Sequence, residues 1–560
     1  FEWSTELNDT IAEIVTWSSQ LMNSPPETQA LECMKLLGSA FICGGAVCGA
    51  LGPRSLSHLS NFMANMLSVL ELQLSDLRKG WDEQADCADV IVDVNTMFKA
   101  RVLLIRSILS AINTIVVQAS SFFHPYIHRT LGSTLLTYAI TLQQSDTTKS
   151  KARIAEMDLL RSNLDRLLEA IASKIPPRLA VPMLLTSTPH ILSIGNDMTS
   201  NGNEAGSSNK VMYSCAKRYA DMVGELFRNL NRPAVLAHMK DLSALATLLL
   251  DYRRVYGDQS PDAAAVDEAV SAAVVELSLK LTETELKHVL LRLMEWRDAS
   301  SESETTSWKS QSRVVSFYTL IQQLNSSLGA IFLPAMSLMW SHAATSLTSL
   351  EKAISVHRQR VAEAAGEEGE SGGKKKKSKK RKKRDMEAGL LVAMSEEVLE
   401  NRILCEKIAA CVTLCCKNDS DGFINELRYE EMMPNLVAVL LQRDAFSSDE
   451  EYLQFSESVM IPSVANLAAK MGKDLLWKPM NHSLLMASRD ERTGVRLVAI
   501  KAIHAVFEEV GEEYLLLLPE CMPFFSELME DDTPEVVNAT VQAMQFIEEL
   551  SGEKLDSYLL

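Results

Sequence analysis

Aromatic side chains are scarce in this 560-residue chain, at 6%, and with them go the Val/Ile/Tyr/Phe-rich runs that build sandwiches and barrels. Leu, Ala, Met, Ser and Glu prevail instead, a balance that predicts an all-α protein. The 23 glycines and 17 prolines are too few for a collagen-like or low-complexity chain, and ten cysteines are too dilute for a disulfide scaffold. The opening Phe1-Glu2-Trp3 has neither the basic start nor the apolar stretch of a signal peptide, so the cysteines are expected to be reduced. The missing initiator Met suggests a fragment.

Long hydrophobic runs are nearly absent too. Leu36 to Pro53 is free of charge and just reaches membrane-spanning length, but Gly38, Gly44, Gly45, Gly49 and Gly52 interrupt it, which favours a buried helix with close neighbours and no membrane. Chemical motifs are missing altogether: there is no GxGxxG before a helix, no GxxxxGK[ST], no HExxH, no GxSxG and no EF-hand loop. Neither an enzyme nor a cofactor, metal or small-molecule substrate is expected. His124 and His128 stand at i, i+4, yet Pro125 disrupts the helix that would align them on a metal. Cys405, Cys411, Cys415 and Cys416 lack a CxxC pair and a nearby His, and read as buried helical positions. Cys43 and Cys48 lie in an apolar helix with no cation to lower a thiol pKa. Paired acids such as Asp449-Glu450, Glu512-Glu513 and Asp531-Asp532 suit helix starts or solvated turns.

What is present is helical periodicity. Leu56, Leu59, Phe62, Met63, Met66, Leu67 and Leu70 mark one amphipathic stripe, and Leu51-Gly52-Pro53 before it reads as a glycine stop followed by a proline start. Comparable helices run from Val102 to Phe123, closed by His124-Pro125, and from Ile154 to Ser173, closed by Ile175-Pro176-Pro177. Near the C-terminus a repeat is visible at 41 residues: Asp490 matches Asp531, Val495 matches Val536, Ala502 matches Ala543 and Val506 matches Ile547. Ala499 breaks the match, facing Thr540. The period lies within the ~40–47 residues of HEAT and armadillo repeats, so the expected architecture is a HEAT-repeat α-solenoid of stacked antiparallel helix pairs. In each repeat an Asp at the turn can cap the second helix. Arg496 reads as a structural partner for Asp490 or for a neighbouring repeat.

Polar breaks divide the chain. The Asn/Ser/Gly-rich stretch Gly195 to Lys210 reads as a mobile loop, and Gln144 to Lys151 and Asp298 to Ser310 as shorter ones. Four parts result: helical repeats over 1–145, a middle region over 150–362 with its insertion near 195–210, a charged linker over 363–388, and C-terminal repeats over 389–560. The linker holds Lys374, Lys375, Lys376, Lys377, Lys379, Lys380, Arg381, Lys382, Lys383 and Arg384, ten cations in eleven positions. This run fits a nuclear or nucleolar localisation signal or a non-specific RNA contact. No aromatic is interleaved to stack on a base. Net charge is −18, and without the run the remainder carries −28, an acidic body that repels bare nucleic acid and favours basic protein segments.

The string Leu518-Pro519-Glu520-Cys521-Met522-Pro523-Phe524-Phe525-Ser526-Glu527-Leu528-Met529-Glu530-Asp531, closing with Gly552-Glu553-Lys554-Leu555-Asp556-Ser557-Tyr558, resembles the C-terminal portion of the U-three small nucleolar RNA-associated protein ten family. Trp477-Lys478-Pro479-Met480-Asn481, Arg489-Asp490, Val495-Arg496 and Ile175-Pro176-Pro177-Arg178-Leu179 add to the likeness. So do Asp251-Tyr252-Arg253, Leu291-Arg292-Leu293-Met294-Glu295-Trp296 and the stretch from Arg313 to Leu320. Together they span about Lys174 to Leu560. The resemblance implies a HEAT-repeat subunit of the small-subunit processome, located in the nucleus and nucleolus. It implies assembly on the five-prime external transcribed spacer, a need in small-subunit rRNA maturation and a link to rDNA transcription. The implied partners are other processome proteins, pre-rRNA and the U-three small nucleolar RNA particle, the RNA contact being direct or through neighbours. The lysine run and the Asn/Ser/Gly insertion depart from that pattern. The alternative class is an acidic HEAT-repeat transport receptor or phosphatase-type scaffold that binds basic proteins.

Overall fold

The computed structural model describes residues 27–52, 56–79, 91–147, 151–199, 205–257, 260–299, 309–366 and 395–555, with Glu6, Asp9, Glu13 and Thr16 before them. Among the described residues the secondary structure is helical, with no strand. The chain forms two compact units, 1–289 and 290–560.

The first unit contains α1 (Glu27–Leu51), α2 (Leu56–Lys79), α3 (Ile91–Gln118), α4 (Ile127–Thr147), α5 (Lys151–Lys174), α6 (Pro177–Thr199) and α7 (Ala205–Asn229). After them come α8 (Arg232–Ala237), α9 (Met239–Leu250), α10 (Tyr252–Tyr256) and α11 (Pro261–Ser278), and the boundary between the units falls within α12 (Glu283–Asp298). Helices α1, α3, α5, α7 and α11 pack in succession as one layer, and α2, α4, α6 and α9 as the other. This is the helix-pair stacking of a HEAT-type solenoid, in which each unit covers the apolar face of the one before. The stripe read from the sequence on α2 is buried: Leu59, Met63, Met66, Leu67 and Leu70 have almost no exposure.

Close approach in this layer depends on missing side chains. A Cβ on Gly45 would lie 3.0 Å from the Ala111 backbone on α3, and one on Gly224 would lie 3.2 Å from Ala273 on α11. The glycine-broken run is therefore a packed helix over residues 36–51. Both α1 and α3 are nevertheless long and apolar enough to cross a membrane by length and composition, and here each buries a face, through Leu37 and Phe41 on α1 and Ile105, Ile108 and Ile112 on α3. Gly52 takes φ +54° and ends α1, as the glycine stop requires. The proline start at Pro53 lies outside the described residues.

One expectation is corrected. The loop anticipated over 195–210 is helical at both ends, because α6 runs to Thr199 and α7 begins at Ala205. Helix propagation is cooperative. The buried Met212, Tyr213, Ala216 and Tyr219 face of α7 fixes several turns, and the weak helix formers preceding it are carried along at small cost.

The second unit continues with α13 (Lys309–Leu328), α14 (Leu333–Met336), α15 (Trp340–Leu347), α16 (Ser349–Gly366), α17 (Glu396–Asn418), α18 (Glu426–Leu440) and α19 (Asp449–Phe455). It ends with α20 (Ile461–Ala469), α21 (Asp474–Ala487), α22 (Thr493–Val510), α23 (Leu518–Met529) and α24 (Pro534–Ser551). A π-turn, Ser456–Met460, joins α19 to α20. One layer is α13, α17, α20, α22 and α24, and the other is α15, α18 and α21 followed by the 3-10 segment Gly511–Leu517 that leads into α23.

Candidate partner-binding surface

The residues singled out from the repeat come together around the turns that start α22 and α24. Val495, Ala502, Val536 and Ala543 are buried at 2% exposure or less, as are Val506 and Ile547. The mismatched Thr540 is also buried, and its hydroxyl donates to Val536 O at 2.8 Å, so the core tolerates a polar group where the preceding repeat has Ala499. The two turn aspartates share one geometry. Asp490 Oδ1 accepts from Arg492 N–H and Asp531 Oδ1 accepts from Thr533 N–H, each at 2.9 Å. Both close an Asx turn two residues ahead and so do not occupy the N-cap positions, which fall to Arg492 and Thr533. The capping expected of these acids is therefore displaced by two residues.

Arg496 joins the two repeats. Its Nε and Nη2 donate to both Asp531 carboxylate oxygens at 2.7 and 3.0 Å, and Nη1 donates to the Asp490 and Glu491 carbonyls at 3.0 and 3.1 Å. Burial alone would raise the Asp531 pKa, but hydrogen bonds from Arg496 and Thr533 hold it below the usual carboxylate range. Asp490 is held low chiefly by Arg492. The pattern extends further along the turns, where Asp444 accepts from both Arg358 and Arg492, the latter at 3.2 Å. Bidentate Arg–carboxylate pairs fix orientation as well as charge, so this ladder sets the register of successive repeats.

The motif strings that carried the resemblance occupy packing positions. Trp477 is buried and donates to Ala468 O at 2.9 Å, while buried Asn481 accepts from Tyr514 at 3.1 Å. In the first unit Arg253 is 1% exposed and donates to Asp267 at 2.9 Å. The four clustered cysteines are fully buried on α17, with Cys411 and Cys415 against α13 and Cys405 against Leu347 of α15. Burial pushes the thiols of Cys405 and Cys415 up to about 12, and Asn325 Nδ2 donates to Cys415 Sγ at 3.2 Å. Such thiols are inert core fillers. His124 hydrogen-bonds the Ser121 carbonyl at 3.4 Å, whereas His128 stacks near His190 at 5.0 Å, so the two histidines face different neighbours. Among the described residues no three His, Cys, Asp or Glu side chains gather as a metal site. Lys374 to Arg384 lies outside the described residues.

A surface feature that spacing did not reveal is a groove of about 460 Å³ across α5, α7 and α11. Its floor is made of small residues, Ala220, Gly224, Ala269 and Ala273, and its walls are mostly acidic. Arg218 pairs with Asp165 at 2.7 Å and Arg228 with Glu276 at 2.8 Å. Glu169 and Asp221, which also line it, form no ion pair with another described residue. Burial raises the Asp221 carboxyl despite opposing pulls from Arg218 and Lys217. The groove assembles acids from three helices at separations of about fifty residues, beyond the range of any local motif.

Comparison with known proteins adds a family context. The BP28CT (NUC211) domain matches residues 234–424. HEAT repeat-containing protein 1 of Homo sapiens is 21% identical over 93% of this chain and 20% of its own length, and the Dictyostelium discoideum homologue is 22% identical over 94% and 24%. U3 small nucleolar RNA-associated protein 10 of Neurospora crassa is 32% identical over 30% of this chain and 9% of its own length. The homologues of this chain thus include both named proteins, the family whose motifs the sequence resembles. The chain spans about a fifth to a quarter of the first two relatives' length. A crystal structure of importin beta aligns over 98% of this chain and 53% of its own, at 14% identity and a TM-score of 0.37.

Proposed function

We propose that this chain is part of a non-catalytic scaffold of ribosome biogenesis, a small-subunit processome component acting in the nucleolus. Its work is binding by surface. The observation that carries this reading is the match of nearly the whole chain to HEAT repeat-containing protein 1, together with the shorter, closer match to U3 small nucleolar RNA-associated protein 10. The finer assignment is assembly on the five-prime external transcribed spacer, with a link to rDNA transcription. The motif strings support a scaffold in physical terms, since their buried members hold repeats together and present no reactive group to solvent. An acidic body favours partner proteins with basic segments, so RNA is met locally or through neighbours. In this reading the four-part plan, with 363–388 as a linker and Lys374 to Arg384 as its localisation signal, stands beside the two compact units.

The test is crosslinking of the tagged chain in cells, with sequencing of bound RNA and mass spectrometry of co-purified proteins. Pre-rRNA spacer reads with processome subunits are the expected result. Diverse basic cargoes or a phosphatase subunit without pre-rRNA would transfer the chain to the transport or signalling class. Deletion of 374–384 is expected to disperse the protein from the nucleolus, read by fluorescence microscopy.

A further inference from the structure

Three successive helices of one layer in the second unit begin with a large aliphatic residue turned to solvent. Leu427 at the start of α18 is 76% exposed, Leu475 at the start of α21 is 74% exposed, and Leu516 just before α23 is 71% exposed. The helix starts are neighbours. Lys473, ahead of α21, pairs with Glu426 at the start of α18, and a Cβ on Gly472 would lie 3.4 Å from Glu513. Exposed residues three, four or seven positions further on share each leucine's helix face. These are Glu430, Glu431 and Pro434 on α18, Lys478, Pro479 and His482 on α21, and Pro519, Glu520 and Pro523 on α23. Single exposed leucines are ordinary, but a leucine more than 70% exposed at the same place in three successive repeats, ringed by prolines and charged groups, marks an interaction surface.

The exposed charge around the row is mostly acidic. Glu430, Glu431, Glu512, Glu513 and Glu520 are exposed on these same elements and form no ion pair with another described residue. The lysines of the row are engaged, Lys473 with Glu426 and Lys478 with Asp474. Anionic groups thus lie beside a track of aliphatic side chains that recurs once per repeat.

The geometry points to a docking track for an extended, basic segment of a partner protein, with an apolar residue at every third position and Lys or Arg between. Packed helices lie ~8–10 Å apart. A polyproline II chain rises ~3.1 Å per residue with three residues per turn, so positions i and i+3 face the same way ~9 Å apart. Such a segment seats one apolar side chain beside each of Leu427, Leu475 and Leu516 and directs its cations to the glutamates. A β-strand does not fit this spacing, since its i and i+3 side chains point to opposite faces. Nucleic acid is disfavoured by the carboxylates. The assignment deepens the scaffold reading by giving the partner's chemistry.

The test uses the full chain and a fluorescein-labelled peptide of about fifteen residues repeating Leu-Lys-Pro, followed by anisotropy. Saturable, salt-weakened binding is expected, with about a tenfold loss for the triple variant Leu427→Ser, Leu475→Ser, Leu516→Ser. A same-composition peptide with scrambled leucine spacing is expected to bind several-fold more weakly. These three sites are exposed, so the variant should melt as the unsubstituted chain does. Equal binding by the variant or by the scrambled peptide overturns the proposal. So does concentration-dependent self-association that the same variant abolishes, which would make a second copy the occupant. Neither readout involves pre-rRNA or processome subunits, so this track and the cellular role fail independently.

Discussion

The two units solve one packing problem by different means. In the first, neighbouring helices approach because side chains are missing: Gly45 meets Ala111 and Gly224 meets Ala273 at distances where a Cβ would be crowded. In the second, the helix turns are tied by charge, with Arg496 holding Asp531, and with Asp444 accepting from Arg358 and Arg492. The first unit also pairs charges between helices, along their faces at Arg218–Asp165 and Arg228–Glu276 and in the interior at Arg253–Asp267. Contact through small residues places specificity along helix faces, whereas ion pairing at turns places it at helix ends. Damage to each should therefore be local and should differ in kind, which hydrogen exchange resolved along the chain can read.

The largest effect is expected in the second unit. Ala502→Asp or Ala543→Asp buries a carboxylate among fully buried neighbours, at a cost of ~4 kcal/mol or more. Amides of 490–551 should lose protection while those of the first unit keep theirs. An unchanged melting curve for both variants would overturn the 41-residue register. Next is Asp267→Ala, which leaves Arg253 charged and buried and should cost ~3–5 kcal/mol. Its exchange footprint is expected on α10, α11 and their neighbours, and protection loss confined to 290–560 would break the contrast. Gly45→Val overpacks α1 against α3 and should cost ~1–3 kcal/mol. If it melts like the parent, close approach is not what holds that layer.

Much of this was legible before any coordinates. Helical class, repeat pairing and the inward-facing Val495, Ala502, Val536 and Ala543 follow from periodicity, because burial of one helix face imposes a local pattern. The Arg496 partnership was legible only as two alternatives. Spacing placed an arginine after an aspartate turn, but choosing Asp531, thirty-five residues on, requires knowing how repeats stack. The Asx turns two residues ahead of the N-cap, the helical ends of 195–210, the acidic groove over α5, α7 and α11, and the leucine row were not legible. Each depends on residues brought together from separate helices, or on helix propagation from a packed face, and neither leaves a contiguous mark. No signal marked Leu427, Leu475 and Leu516, whose separations of 48 and 41 residues match only once the helix starts are known.

Two smaller effects sharpen the comparison. A double-mutant cycle on Arg496 and Asp531 should return a coupling of ~1–3 kcal/mol, since the pair is bidentate and mostly shielded. The pair Arg129–Glu71 of the first unit is also close, at 2.9 Å, but about 45% exposed on both sides, and its coupling should be ~0.2–1 kcal/mol and fade with salt. Equal couplings would mean that the turn ladder is no more than surface charge.

The last effect is a pH response confined to the second unit. His342 hydrogen-bonds Tyr318 at 2.9 Å, and burial, with Arg297 nearby, lowers its pKa to about 4 although Asp298 pulls the other way. The unfolded imidazole titrates near ~6.5, so between these values the unfolded chain binds more protons and stability falls as pH falls. The contribution is whole above pH ~6.5 and is lost on the way down to about 4. The side chain is 32% exposed, so solvent screening reduces the ~3 kcal/mol implied by the shift to ~1–2 kcal/mol. Denaturant unfolding at pH 7.5 and pH 5 should show the unsubstituted chain losing more stability than His342→Gln, with exchange rising around α13 and α15 and not in the first unit. An equal loss in both proteins would mean that His342 is protonated in the fold as freely as in the open chain, and that its hydrogen bond to Tyr318 does not depend on a neutral imidazole.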